Sequence, residues 1–152
     1  MNKPASLRAA LEAALPELRD NPDRLQMLVE DGGISTAPGR LSFGYRYTLK
    51  TLILDYAGHL DQVIIPLRAW IEQNEPPLIQ NAELREKGFR FEVDWVKADA
   101  VDLQITLQLS EAVRVERLPG GDIRATHLGE PVAEWEGAGV TDWKITVDEV
   151  RE

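Results

Sequence analysis

From Phe89 to Leu109 every odd-numbered residue is apolar except Lys97 and Asp99, while the even positions are mostly charged, Ser, Thr or Gln. Period-two alternation sends side chains to opposite faces of a strand, so the segment predicts a β-hairpin broken at Lys97-Ala98-Asp99-Ala100. One face is packed and the other wet. Phe89, Phe91 and Trp95 belong to the packed side, where they meet helix.

Upstream, Ser6 is a candidate cap for a first helix whose stripe is Leu7, Ala10, Leu11, Ala14, Leu15 and Leu18. Pro16 kinks or ends it, and Asn21-Pro22-Asp23 stops it. Leu25 to Val29 predicts a short strand closed by Asp31-Gly32-Gly33, followed by a loop over 34–39. Ser42 to Tyr56 is the longest extended candidate, with Phe43, Tyr45, Tyr47 and Leu49 on one side. At Leu52-Ile53-Leu54 both sides become apolar, which calls for a bulge or for burial of both faces; burial of both faces is the favoured reading.

A second helix spans Asp61 to Asn74, with Asp61 as N-cap, Ile64, Leu67, Trp70 and Ile71 as its stripe and Pro66 near its first turn. Asn81 to Gly88 predicts one helical turn with a C-terminal glycine. Val113 to Glu116 resumes the alternation, and Pro119-Gly120-Gly121-Asp122 turns into a second, smaller hairpin. Trp143-Lys144-Ile145-Thr146-Val147 alternates as a short strand. The sum is an α+β fold: a mostly antiparallel sheet of four to six strands, two main helices on one face, and a C-terminal arm or small hairpin. Residues 1–128 form a single domain, and residues 129–152 an acidic segment docked on it or on a neighbouring subunit.

Composition narrows the function. A chain of 152 residues buries about 68–70% of its unfolded surface in one core. There is no cysteine, which removes disulfides, thiolate catalysis and Cys-based zinc sites. No apolar run approaches the ~20 residues of a membrane-spanning helix, and the N-terminus lacks the pattern of a secretory signal. The net charge is −9, and residues 130–152 hold seven acids against two bases, a balance of −5. Without a basic stripe, direct nucleic-acid binding is disfavoured.

Candidate chemistry is sparse. His59 and His127 stand at no ligand spacing from each other or from a third group. Gly32-Gly33 and Gly120-Gly121 lack the context of phosphate-binding loops, and no serine sits in a nucleophile elbow. Glu92, Asp94 and Asp102 share the wet face of the long hairpin, where a divalent cation or, more in keeping with a wet sheet face, a polar subunit contact would fit. Tyr45, Tyr47 and Trp70 read as core aromatics. Trp135 and Trp143 lie in an acidic, glycine-containing stretch and read either as docked side chains or as partner anchors. No cofactor, metal site or catalytic residue is expected.

The ordered set Lys3-Pro4-Ala5-Ser6-Leu7-Arg8, Asn21-Pro22-Asp23, Tyr45-Arg46-Tyr47-Thr48-Leu49, Pro66-Leu67-Arg68-Ala69-Trp70-Ile71, Glu83-Leu84-Arg85-Glu86-Lys87, Phe91-Glu92-Val93-Asp94 and Leu107-Gln108-Leu109-Ser110-Glu111 resembles the tail completion protein R family of contractile-tailed phages of the peduovirus group. The resemblance covers residues 1–115. It implies a virion structural protein made in the host bacterial cytoplasm, not an enzyme. It further implies a tail terminator-like ring, a hexamer on the tail, that caps the head-proximal end, contacts tail tube or sheath subunits and prepares the tail for head-joining proteins. Interface candidates are then Leu52 and Leu54, the wet-face Glu92, Asp94 and Asp102, and Trp135 and Trp143. Two other readings remain at this point: a small acidic adaptor that binds a cytosolic partner through its tryptophan-bearing tail, and a divalent-metal hydrolase built on the three carboxylates.

Overall fold

The computed structural model describes residues 1–130 and 134–150. Helix α1 (Lys3–Ala14) is followed by a short α2 (Pro16–Asp20), and Pro16 separates them as expected, because its ring forbids an unbroken helix through that point. A single 3₁₀ turn over Pro22–Arg24 leads into strand β1 (Leu25–Thr36), which pairs with β2 (Phe43–Tyr56). Helix α3 (Asp61–Asn74) and the brief α4 (Pro77–Gln80) and α5 (Ala82–Lys87) return the chain to β3 (Phe89–Trp95), β4 (Val101–Arg117) and β5 (Ile123–Leu128). All pairings are antiparallel, in the order β1-β2-β4-β3, with β5 added to β4. The α+β architecture with two main helices is therefore present.

The core lies between that sheet and the helices. Leu7, Leu11 and Leu18 from the first two helices and Val63, Leu67, Trp70 and Ile71 from α3 close over Leu49, Ile53, Leu103, Ile105 and Leu107. Each such side chain contributes roughly 1.5–3 kcal/mol on burial, so this layer dominates the stability of the fold. The two helices are also joined by a hydrogen bond, in which Trp70 Nε1 donates to Ser6 Oγ at 3.0 Å. Ser6 thus lies inside α1 rather than capping it, since the helix already begins at Lys3 with Pro4 in its first turn.

Several local expectations change. β1 does not end at Val29: Gly33 to Thr36 pair with Arg46 to Phe43, and Asp31, at φ 53°, forms a bulge that carries the ladder past the glycine pair. β4 is one continuous strand of 17 residues, longer than the hairpin partner expected from the pattern. α3 starts at Asp61, with Pro66 well inside it; the helix forgoes one hydrogen bond there while the proline ring itself is buried. Its start is held by His59, whose Nδ1 accepts from the Asp61 N–H at 3.1 Å. Residues 143–147 make no strand pairing among the described residues, although Trp143, Ile145 and Val147 are half-buried and Lys144 and Thr146 exposed.

The largest departure is at β3. Phe91 and Trp95 share the helix-facing side with Val93, yet they are 56% and 73% exposed. β3 is the outermost strand on its side of the sheet, and the core layer reaches its Phe89 and Val93 but leaves Phe91 and Trp95 uncovered. Alternation told which side these aromatics take; it carried no information on how far the helix layer extends.

Candidate interaction surface

On the face turned away from the helices, strand pairing brings the sequence-selected residues together. Leu52 lies opposite Gln104, which lies opposite Glu92, so the three form one row across β2, β4 and β3. Asp94 stands directly opposite Asp102 in the next row. Leu54 falls within the register break of β2 between Ile53 and Tyr56. Ile53 is fully buried, whereas Leu52 and Leu54 are half-buried.

The carboxylates do not act alike. Like charges directly across a strand pair repel, and Asp102 relieves this by turning to the bulge, where its Oδ1 accepts the Asp55 N–H at 3.0 Å. Asp55 takes φ 53° there, and its side chain meets Lys97 at 3.1 Å and Arg24 at 3.8 Å. Among the described residues no group of three or more His, Asp or Glu side chains is close enough to hold a metal ion. Farther along the same face Lys50 pairs with Glu30 at 2.7 Å, which raises the lysine's pKa through that hydrogen bond and charge. The arrangement sets alternating charge beside half-covered leucine.

Trp135 and Trp143 stand apart from this face. Trp135 is half-buried over its own turn, its carbonyl accepting from the Ala138 N–H at 3.0 Å. Trp143 and Ile145 line a groove with Ala14, Leu15, Pro16, Glu17 and Gln62, where α1 gives way to α2.

A buried polar cluster escaped the sequence reading altogether. Glu75, 2% exposed, leaves the end of α3 and reaches the edge of β4 in the gap between β3 and β5. Its Oε1 accepts from both the backbone N–H of Ser110 and the Ser110 hydroxyl, and its Oε2 accepts from Lys3 Nζ at 3.0 Å. The carboxylate thus stands where a strand would have supplied an acceptor. Beside it, Glu111 accepts from the Asn2 N–H at 2.7 Å and from the Tyr47 hydroxyl at 2.6 Å. Burial alone would raise the Glu111 pKa, but these bonds and the nearby amino terminus bring it below its ordinary value. Burial and the same Glu111 push the Tyr47 hydroxyl far above its usual range.

A signal for half of this cluster was available: Glu111 is the acid on the apolar parity of β4, flanked by Leu109 and Val113. Glu75, between Asn74 and Pro76, looks in sequence like an ordinary helix terminator. The cluster fixes the start of α1 to the sheet, and its donors and acceptors satisfy one another.

Comparison with known proteins decides the family. The family model for P2 phage tail completion protein R (GpR) matches residues 1–131. The chain belongs to that family. It is 38% identical over 132 residues to "Tail completion protein R" of Escherichia phage P2, covering 86% of this chain and 84% of that relative. No solved structure gives a significant match. The family is one of phage tail structural proteins, and no described helix is long and apolar enough to cross a membrane. The match spans the whole sheet and the polar cluster, whereas residues 134–150 lie beyond it.

Proposed function

We propose that this protein completes the phage tail by capping its head-proximal end as a ring of identical subunits, seated on tail tube or sheath and presenting a surface to head-joining proteins. The observation that carries this reading is the family match over residues 1–131, which includes all five strands. The role is structural and needs no catalysis.

Strand pairing supports a candidate for the contact surface. A ring closes through heterologous contacts, in which one patch meets a different patch on the next copy. The row Leu52, Gln104, Glu92 and the adjoining Asp94 and Asp102 form one such patch on a rigid sheet. A negative surface also suits a channel through which DNA passes without adhering.

Complementation tests the reading. A phage lacking its tail completion gene is supplied with this chain, or with Glu92→Lys/Asp94→Lys, and heads, tails and joined particles are counted by electron microscopy. Wild-type chain restores joined particles in the matching phage, and the double variant folds but leaves tails unjoined. Normal joining by the double variant removes the wet face from the contact surface. Failure of the wild-type chain in its own phage removes the function.

A further inference from the structure

We infer that the C-terminal segment of one copy adds as a strand to the unpaired edge of β3 in a second copy, linking subunits head to tail. The inference rests on the self-association put forward above and names the contact that would carry it.

Two features of the protomer are incomplete in ways that match. Among the described residues nothing pairs with the outer edge of β3, so a row of backbone donors and acceptors faces outward. Its helix-facing side carries Phe91 and Trp95, 56% and 73% exposed, with half-buried Val93 between them. The outer edge of β1 is also unpaired, but the bulge at Asp31 interrupts it; β3 is regular over its seven residues. Residues 143–147 are a strand pattern without a sheet: they alternate Trp, Lys, Ile, Thr, Val, expose their even side chains and, among the described residues, pair with no strand. On their own protomer Trp143 and Ile145 line the groove beside Leu15, Pro16 and Gln62.

Charge fixes how the two would fit. With Val93 opposite Ile145 in an antiparallel pair, Trp143 meets Trp95 and Val147 meets Phe91 on the apolar side. On the other side Lys144 faces Asp94 and Asp148 faces Arg90, two opposite-charge pairs. Sliding the segment by two residues one way sets Asp148 against Glu92, and the other way sets Asp142 against Asp94. A slip by one turns Trp143, Ile145 and Val147 to the wet face. The segment and the edge are different patches, so each copy gives one and receives one, the condition for a closed ring.

Because the chain has no cysteine, disulfide trapping is clean. Val93→Cys and Ile145→Cys proteins are mixed and oxidised, and the disulfides are identified by mass spectrometry beside light scattering of the same samples. The expected product is the mixed disulfide, one of each variant. Asp94→Lys on the Val93→Cys chain lowers its yield about fivefold, and Lys144→Asp on the other chain restores it. If Val93→Cys fails to fold, Phe91→Cys with Val147→Cys reads the neighbouring pair at an exposed position. Self-association without a mixed disulfide overturns the inference and leaves the ring reading standing. Disulfides formed only between like variants, residue 93 to residue 93 or residue 145 to residue 145, overturn it as well. A strict monomer with no mixed disulfide removes both.

Discussion

The Tyr47 hydroxyl donates to Glu111 Oε2 at 2.6 Å inside the sheet, while the other carboxylate oxygen of Glu111 accepts the Asn2 N–H at 2.7 Å. One buried acid thereby ties the second strand to the first residues of the chain. Glu111 is only 7% exposed, so its charge persists because these donors and the amino terminus favour it.

This fixes a pH dependence. The folded-state pKa of Glu111 lies below its ordinary 4.5, so the group stabilises the fold above that value and the contribution is lost as pH falls through the folded pKa. Thermal unfolding followed from pH 7 into the acid range shows Tm declining below about pH 5. Glu111→Gln flattens that limb and lowers Tm at pH 7. An acid limb unchanged by the substitution would show that Glu111 does not drive it.

Tyr47→Phe removes one donor and leaves the ring packed. The loss costs about 1–3 kcal/mol, since a buried acceptor is left short of a partner. Urea unfolding reads it as a lower midpoint with an unchanged slope.

Glu75 carries a larger share. Glu75→Ala strands the Ser110 N–H and leaves the Lys3 ammonium only Glu130, at 3.8 Å, so the cost falls toward the lower end of the range of about 3–5 kcal/mol for breaking a buried ion pair from one side. Lys3→Met with Glu75→Gln removes both charges and keeps an amide acceptor for Ser110. The double variant is expected to be more stable than Glu75→Ala, and urea midpoints of the two compare them directly.

How much of this was legible depends on range. Hairpin β3–β4, helix α3 and the Asn81–Gly88 turn were readable because each is encoded by neighbours: alternation, a 3.6-residue stripe, a cap. Glu92, Asp94 and Asp102 share one face as their parity requires, since parity within a hairpin survives any strand order, whereas the place of Leu52 in the same row follows from β2 pairing with β4. What was not legible was long-range. The Glu75 carboxylate meets Ser110 35 residues away because the sheet edge has a gap there, and a gap is a property of strand order. The exposure of Phe91 and Trp95 likewise follows from β3 being outermost.

Gly88 is held by space rather than by conformation. Its φ of −90° suits any residue, but a Cβ there would come within 2.5 Å of the Leu84 carbonyl oxygen and also strike the Leu78 methyl. Gly88→Ala therefore displaces α5 from the head of β3, at a cost of about 1–3 kcal/mol. Differential scanning calorimetry shows the lowered Tm. An unchanged Tm would mean that the α5–β3 junction yields freely.

Trp95→Ser separates stability from assembly. A side chain 73% exposed has little burial to lose, so the unfolding free energy shifts by less than about 0.5 kcal/mol. In a protein that functions alone the substitution is silent. In one whose sheet edge receives another chain, the exposed indole is an anchor, and anchors of this kind cost 2 kcal/mol or more, about thirtyfold in affinity, when removed. Trp95→Ser is thus expected to unfold at the wild-type urea concentration while failing to restore joined particles. Loss of both together would return Trp95 to the core, and loss of neither would leave it a solvated residue.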